Sequence, residues 1–382
     1  MSSNFEYRYV KITPEHTAGT GVKSYGTASA MTHATGSSAT AVNMFGEVDD
    51  ESIAYQFDLM TRMDVSRYGS AKSVNGKEYS EGGVNLVMQP DDFLGYLLYG
   101  IYGDTFTAAG QATTAASTPA STGYSVSGFV HSWYEVAELI LPSFTLEVGR
   151  EEKEHTYKGM CMQTLSISAA HGEYATIAAS FTGKSESAVS TLVAAPVFVG
   201  AAVDGFHFAE GTVNFSSAGA SQTEVSTVKS VSLEYNMNLD TDMACSIGDR
   251  TYLRQPQPQR REITGSIEFS LPQTSSADGN TPDYETALAT GGKMFPTTGT
   301  AASLTNPAIL LKFTNGSQIL ELSILKVRWE APSANISGRD TQTLSMNFVA
   351  LVDATDNVMS KTILTLDAAT SELSTGIKYS AV

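Results

Sequence analysis

A chain of 382 residues is long for a single core and argues for two domains. Its 23 Lys+Arg against 40 Asp+Glu give a formal net charge of −17, which opposes a surface that grips nucleic acid by its phosphates, because such a surface needs a basic stripe. Charged residues make up only 16% of the chain while Ser, Thr, Ala and Gly are plentiful, a composition suited to sheets and broad protein contacts.

Residues 1–50 mix Gly, Ser, Thr and Ala without a sustained period and read as an N-terminal arm. Gly19, Gly21 and Gly26 lack the spacing of a phosphate loop. The N-terminus has no signal-peptide pattern and no apolar run reaches membrane-span length, so the expectation is a chain folded in the cytoplasm with no membrane partner. Cys161 and Cys245 lie far apart without metal-ligand spacing and read as free thiols.

The first folded segment, 51–190, opens with Ile53, Tyr55, Phe57 and Leu59 alternating with polar residues. A polar tip follows, and then Val84, Leu86 and Met88, so the segment predicts a long hairpin with one wet face. In PDDFLGYLLYGIYG, Pro90, Asp91 and Asp92 stand at a helix start, and Phe93, Leu94, Leu97, Leu98 and Ile101 form a helical stripe. A short helix should plug the open face of the sheet. The low-complexity run TAAGQATTAASTPASTG reads as a surface loop, and strands led by Pro142 close the segment near Gly183.

Residues 191–227 read as a linker. From Val228 to residue 355 the same order returns, and 356–382 read as a C-terminal arm. Val231, Leu233, Tyr235, Met237 and Leu239 alternate with Ser232, Glu234, Asn236, Asn238 and Asp240. Gly265 and Ile267 then match Gly82 and Val84 without a gap. TPDYETALATGG takes the place of the helix, and a proline-led pair of strands starts at Pro307. Leu344, Met346 and Phe348 match Ile177, Ala179 and Phe181. The chain therefore reads as a duplicated, mainly β domain.

An enzyme finds little support. His16, His33, His131, His155, His171 and His207 are scattered, with no H-E-x-x-H, nucleophile elbow or Walker loop. His131 near Trp133 and Glu135, or His155 beside Glu154, would be the acid/base pairs to consider; packed or surface histidines are the simpler reading. Glu151, Glu152 and Glu154 read as a wet turn. The expectation is no catalysis, no cofactor and no metal.

With VNLVMQPDDFLGYLLYGIYG ahead of LPSFTLEVGREEKEHTYKGMCMQTLSIS and EYATIAASFTGK, the first half resembles the tail tube proteins of long, non-contractile-tailed phages. The resemblance is strongest from Ile53 to Lys184 and continues in order from Val228 to Asp353. It implies two tandem tail-tube-type β-sandwich or barrel domains, each with a long hairpin and a short flanking helix. The hairpins would line a channel in a virion tail assembled in the host cytoplasm. It also implies partners: a tape-measure protein, and tail tip and tail terminator proteins.

Family members form hexameric rings, whereas this chain carries two such domains. A homotrimer would then make a pseudo-hexameric ring, the alternative being a hexamer with one decorating domain; rings would stack. Passing DNA would slide over acidic and neutral side chains without specific binding. Candidate lumen residues are Gln56, Asp58, Asn85, Glu234, Asn236, Asn238, Asp240 and Glu268. Arg67, Arg250, Arg254, Arg260 and Arg261 are candidates for contact between rings. The other class of reading is a β-sandwich decoration or adhesion module.

Overall fold

The computed structural model describes residues 9–15, 25, 32–35, 38–41, 44–63, 68–103, 116–117, 125–126, 128–134, 141–150, 153–192, 196, 198, 204–216, 223–224, 228–242, 244–252, 254–270, 308–330, 343–352 and 359–367. The first half contains β1 (Tyr9–Pro14), β2 (Thr32–Thr35), β3 (Ser38–Ala41), β4 (Met44–Gly46), β5 (Asp50–Glu51), β6 (Ala54–Met63), β7 (Ser70–Val87) and helix α1 (Asp92–Tyr102). It continues with β8 (Ala116–Ser117), β9 (Ser125–Val126), β10 (Gly128–Tyr134), β11 (Ser143–Arg150), β12 (Lys153–Ala170), β13 (Thr176–Gly183) and β14 (Ser185–Thr191). The second half holds β15 (Gly211–Ser216), β16 (Thr223–Glu224), β17 (Val228–Asn236), β18 (Leu239–Asp240), β19 (Gln257–Pro258) and β20 (Glu262–Ser270). It ends with β21 (Ala308–Asn315), β22 (Gln318–Ile324), β23 (Val327–Trp329), β24 (Thr343–Ala350) and β25 (Ser360–Asp367).

The organising strand is β12, 18 residues long. Its first part, from Lys153, runs between β11 and β14; its second part, to Ala170, runs between β13 and β17. A register shift between Met162 and Thr164 marks the passage from one layer to the other. Beyond it the strands line up as β6-β7-β13-β12-β17-β20-β24-β23, four from each half. The halves are thus hydrogen-bonded into one sheet through β12 and β17, from Thr164 opposite Asn236 to Ala170 opposite Ser230.

The repeat read from the sequence has a counterpart in the strand registers. Gly82 lies opposite Phe181 and Gly265 opposite Phe348; Val84 faces Ala179 as Ile267 faces Met346; Leu86 faces Ile177 as Phe269 faces Leu344. A side chain at Gly265 would stand 2.4 Å from the Phe348 ring and 2.5 Å from the Ser232 carbonyl. Gly82 has φ +146° with the Ile53 backbone equally close, so both positions require glycine.

The likeness extends past the segments 51–190 and 228–355. β1, inside the segment read as an arm, pairs with β11, and β15, inside the segment read as a linker, pairs with β21 in the same antiparallel sense. β14 flanks β12 at the end of the first segment as β25 flanks β22, so a strand closes each half, the second where a tail was expected. Strand β10 of the first half joins the second sheet beside β25, giving the order β10-β25-β22-β21-β15-β16. The helix-like stretch TPDYETALATGG and most of the loop 107–123 lie outside the described residues.

α1 forms where the apolar stripe predicted it. Asp91 caps it, accepting the Leu94 N–H at 2.9 Å, and every residue of the helix is buried. It packs on β1, β4, β10 and β12. At its C-terminal end the Tyr102 hydroxyl lies 3.0 Å from those of Tyr235 and Ser360 and 2.7 Å from that of Thr362, all in the second half. One contiguous apolar core runs through both halves, from Val10 and Ile12 to Leu364 and Leu366. The arm is fastened by Glu15, which is buried and accepts from Ser143 Oγ (2.6 Å), Thr145 Oγ1 (2.9 Å) and the Gly159 N–H (2.8 Å).

Candidate functional site

Strand alternation gives the shared sheet two unlike faces. One is core: Val84, Leu86, Ile177, Leu165, Ile167, Leu233, Tyr235, Ile267, Met346 and Phe348 are buried against the helix and the second layer. The other is polar from β7 to β24. Asn85, Ala178, Ser166, Glu234 and Thr264 lie in one cross-strand row, and Gly83, Ser180, Thr164, Asn236 and Glu262 in the next. Thr176, Ser168, Ser232, Ser266 and Asn347 make a third row, and Ser230, Glu268 and Ser345 a fourth.

Within these rows hydroxyls satisfy each other. Thr164 meets Ser180 at 2.5 Å, Ser168 meets Thr176 at 2.7 Å and Ser232 meets Ser266 at 2.8 Å. Every ionisable side chain in the four rows is a carboxylate: Glu234, Glu262 and Glu268. Arg328, exposed on β23 beyond them, brings a positive charge to the same face. The surface offers neutral donors and acceptors and scattered negative charge, without the cation stripe that would hold a polyanion.

Of the sequence candidates for this face, Gln56, Asn85, Glu234, Asn236 and Glu268 share it. Asn85 donates to Asp50 at 2.8 Å, and Glu268 accepts from Ser230 at 3.4 Å. Asp58 sits exposed at a register shift between Phe57 and Leu59. Asn238 and Asp240 have left the ladder. Asn238, at φ 46°, donates to the Arg260 carbonyl, and Asp240 accepts from Gln259 and from the Asp242 N–H; both hold the loop that follows β17. The Ser/Thr rungs were not singled out in the sequence, although their place in the same alternation could have shown them.

That loop carries the arginines. Arg250 lies 3.7 Å from Glu78, Arg260 lies 3.6 Å from Glu262 and is largely exposed, Arg254 is exposed and Arg261 half-buried. Arg67 lies outside the described residues. The loop also braces the far part of the long hairpin. Glu78 donates its N–H to the Arg250 carbonyl, and Tyr252 stacks on Tyr79 with Lys77 over both rings.

The hairpin departs from the expected wet and dry faces. Ile53 is buried, but Phe57 is 49% and Leu59 59% exposed, as are Met60 (65%) and Val74 (56%), because the packed layer beneath the sheet ends near Ile53 and Val84. His155 bonds Glu186 on β14 at 2.6 Å; its neighbour Glu154 points the opposite way and accepts from Tyr9. Glu135, Glu151 and Glu152 lie outside the described residues, and His131 lies on β10. Among the described residues no three His, Cys, Asp or Glu side chains gather as metal ligands. Cys161 and Cys245 are both free, the former buried.

The chain is mainly β, and its two similarly ordered halves merge into one sheet with a broad polar face, the architecture of a structural protein. The family model described as phage tail tube protein matches residues 10–350, nearly the whole chain, and the chain belongs to that family. It is a structural component of the virion tail. No curated protein matches it.

Proposed function

We propose that three copies of this chain close into a pseudo-hexameric ring, that rings stack into the tail tube, and that DNA leaves the virion over the polar face of the shared sheet. The observation that carries this reading is the β12–β17 junction, which joins two four-strand units edge to edge within one molecule. Each chain then supplies two wall units, and a trimer supplies as many as a hexamer of single-domain subunits. A hexamer with the second half hung outside the wall is disfavoured because β17, β20 and β24 continue the same sheet and the same polar face.

The units are read as duplicates, 51–190 and 228–355, each extended by its flanking strands. The wall works passively. Hydroxyl rungs and carboxylates put no row of cations beneath the phosphates, so a duplex with about one charge per 1.7 Å of axis slides past. Arg250, Arg254, Arg260 and Arg261, on one loop, suit contact with an acidic surface of the next ring, and Arg67 is assigned to the same contact from the sequence. Tape-measure, tip and terminator proteins are the partners that tail assembly calls for. Catalysis has no part in this reading.

Native mass measurement and image averaging of assembled rings test it. Three chains of 40.6 kDa per ring, with both halves in the wall, are expected. Six chains per ring with the second half outside would replace the trimer by the hexamer. Isolated monomers under all assembly conditions would favour the decoration or adhesion reading instead.

A further inference from the structure

We propose that the stacking of one ring on the next is released by acid, through His207 and His171 at the end of the shared sheet that seats the arginine loop of a second copy. The inference rests on the stacked-ring reading and gives that contact a seat and a control.

Strand direction separates the two ends. β17 starts beside the turn between β12 and β13, where the His171 N–H donates to the Lys229 carbonyl at 2.9 Å. It ends at Asn236, ahead of the loop that carries Arg250, Arg254, Arg260 and Arg261. Nine residues of strand, about 30 Å, lie between. A contact joining these ends is therefore made between two copies and repeats without closing.

The seat is apolar at its floor and charged at its rim. A cavity of about 220 Å³ opens between the layers at the β12–β13 end, floored by Val213, Val231, Leu311 and Phe313 and bordered by Phe208 and His171. The arginine loop presents Ile247, fully exposed, as the side chain to enter it. Glu173, exposed, accepts the Phe208 N–H on its carbonyl at 3.1 Å, so its carboxylate and that of Glu210 stand beside the mouth to meet arginine.

The control is the cap of the one-turn helix Phe208–Glu210. The Ala209 N–H donates to His207 Nδ1 at 3.2 Å, and a backbone N–H can only donate, so Nδ1 carries no proton. His207 Nε2 lies 3.4 Å from Glu210 Oε1, and Glu210 Oε2 accepts the His207 N–H at 3.2 Å. A proton taken up at Nδ1 sets donor against donor. The cap then breaks, and the imidazolium turns its charge on Glu210. His171 is exposed, with its ring centroid 4.8 Å from that of Phe208, and gains its charge at the same mouth.

The other ionisable groups around the turn are Glu173 and Tyr174 ahead of β13, Lys229 at the start of β17 and Asp204 before the turn, while Lys312 on β21 is held by Glu321 at 2.8 Å. With neutral imidazoles, Glu173, Asp204 and Glu210 outnumber Lys229 and attract the loop. With both imidazoles charged that excess is gone.

Tube length followed from pH 8 to 5, the span over which histidines change charge, tests this on the full chain by light scattering and negative stain. Wild-type tubes should come apart into intact rings as pH falls. A factor of about two at each exposed contact, met by three chains at every joint, raises the protein concentration needed for tubes about tenfold. His171→Gln combined with His207→Asn, in which asparagine caps without titrating, should keep its tubes at pH 5. Wild-type tubes indifferent to acid, or a double variant that comes apart as readily, would overturn the control. Glu173→Lys should give rings that stack at neither pH, and tubes of ordinary length from it would overturn the seat. If the double variant does not fold, the imidazole nitrogen shifts of unassembled wild-type protein decide: a proton on His207 Nδ1 at pH 8 would overturn the control. Rings that stack under no condition would remove the stacked reading together with this inference and leave the trimeric ring standing.

Discussion

The Tyr102 hydroxyl is the smallest group that ties the two halves together, touching Tyr235, Ser360 and Thr362 from the end of a helix that belongs to the first. Tyr102→Phe keeps the ring and leaves three buried hydroxyls to re-pair, so the chain should lose about 1–3 kcal/mol, read as a lower denaturant midpoint with an unchanged slope. Asp91 makes a second residue-level case. Burial raises its carboxyl to about 7, assisted by the negative charge of Glu47 and opposed by the Leu94 N–H it caps. A carboxyl whose folded pKa lies above its unfolded value binds more protons when folded, so its stability contribution is complete below about pH 4 and is lost as pH rises to about 7. Unfolding measured from pH 4 to 8 should show this fall, and Asp91→Asn, which keeps an acceptor at the cap, should flatten that part of the profile. The helix start at Asp91 was legible because capping is a local effect. The Tyr102 contacts were not, since their partners are more than a hundred residues away.

Elements repeat this division between local and distant. Gly82 and Gly265 anchored a gap-free match in the sequence, and both registers follow it because each glycine lets a neighbouring group approach where a side chain would clash. Gly265→Ala should therefore cost about 1–3 kcal/mol by driving Phe348 aside, whereas Gly69→Ala, with open space around it, should leave the melting temperature nearly unchanged. The alternation in β17 gave its two faces directly. It misled beyond Asn236, where Asn238 turns at positive φ and takes Asp240 out of the ladder. It misled also at Phe57 and Leu59, because period alone does not say where the layer beneath a sheet stops. Val10 and Ile12 in β1 alternate too, but so brief a run beside a low-complexity stretch cannot announce a partner as distant as β11.

For the whole molecule the decisive pairing is β12 with β17, and nothing in either strand names the other, since any two half-buried strands present the same backbone groups. Its consequence for the polar face can be measured. Glu234→Lys, Glu262→Lys and Glu268→Lys together would turn every ionisable group of the four rows positive. Tubes should still assemble, since these side chains point away from the core, while DNA release into low-salt buffer should slow and recover with added salt. Unchanged release would place the face elsewhere than the lumen. The junction also bears on how such a wall fails. In a ring of these chains, alternate seams are closed inside a polypeptide that shares one core, and the others only between neighbours. Under internal pressure or shear the tube should tear along every second seam, shedding intact double units.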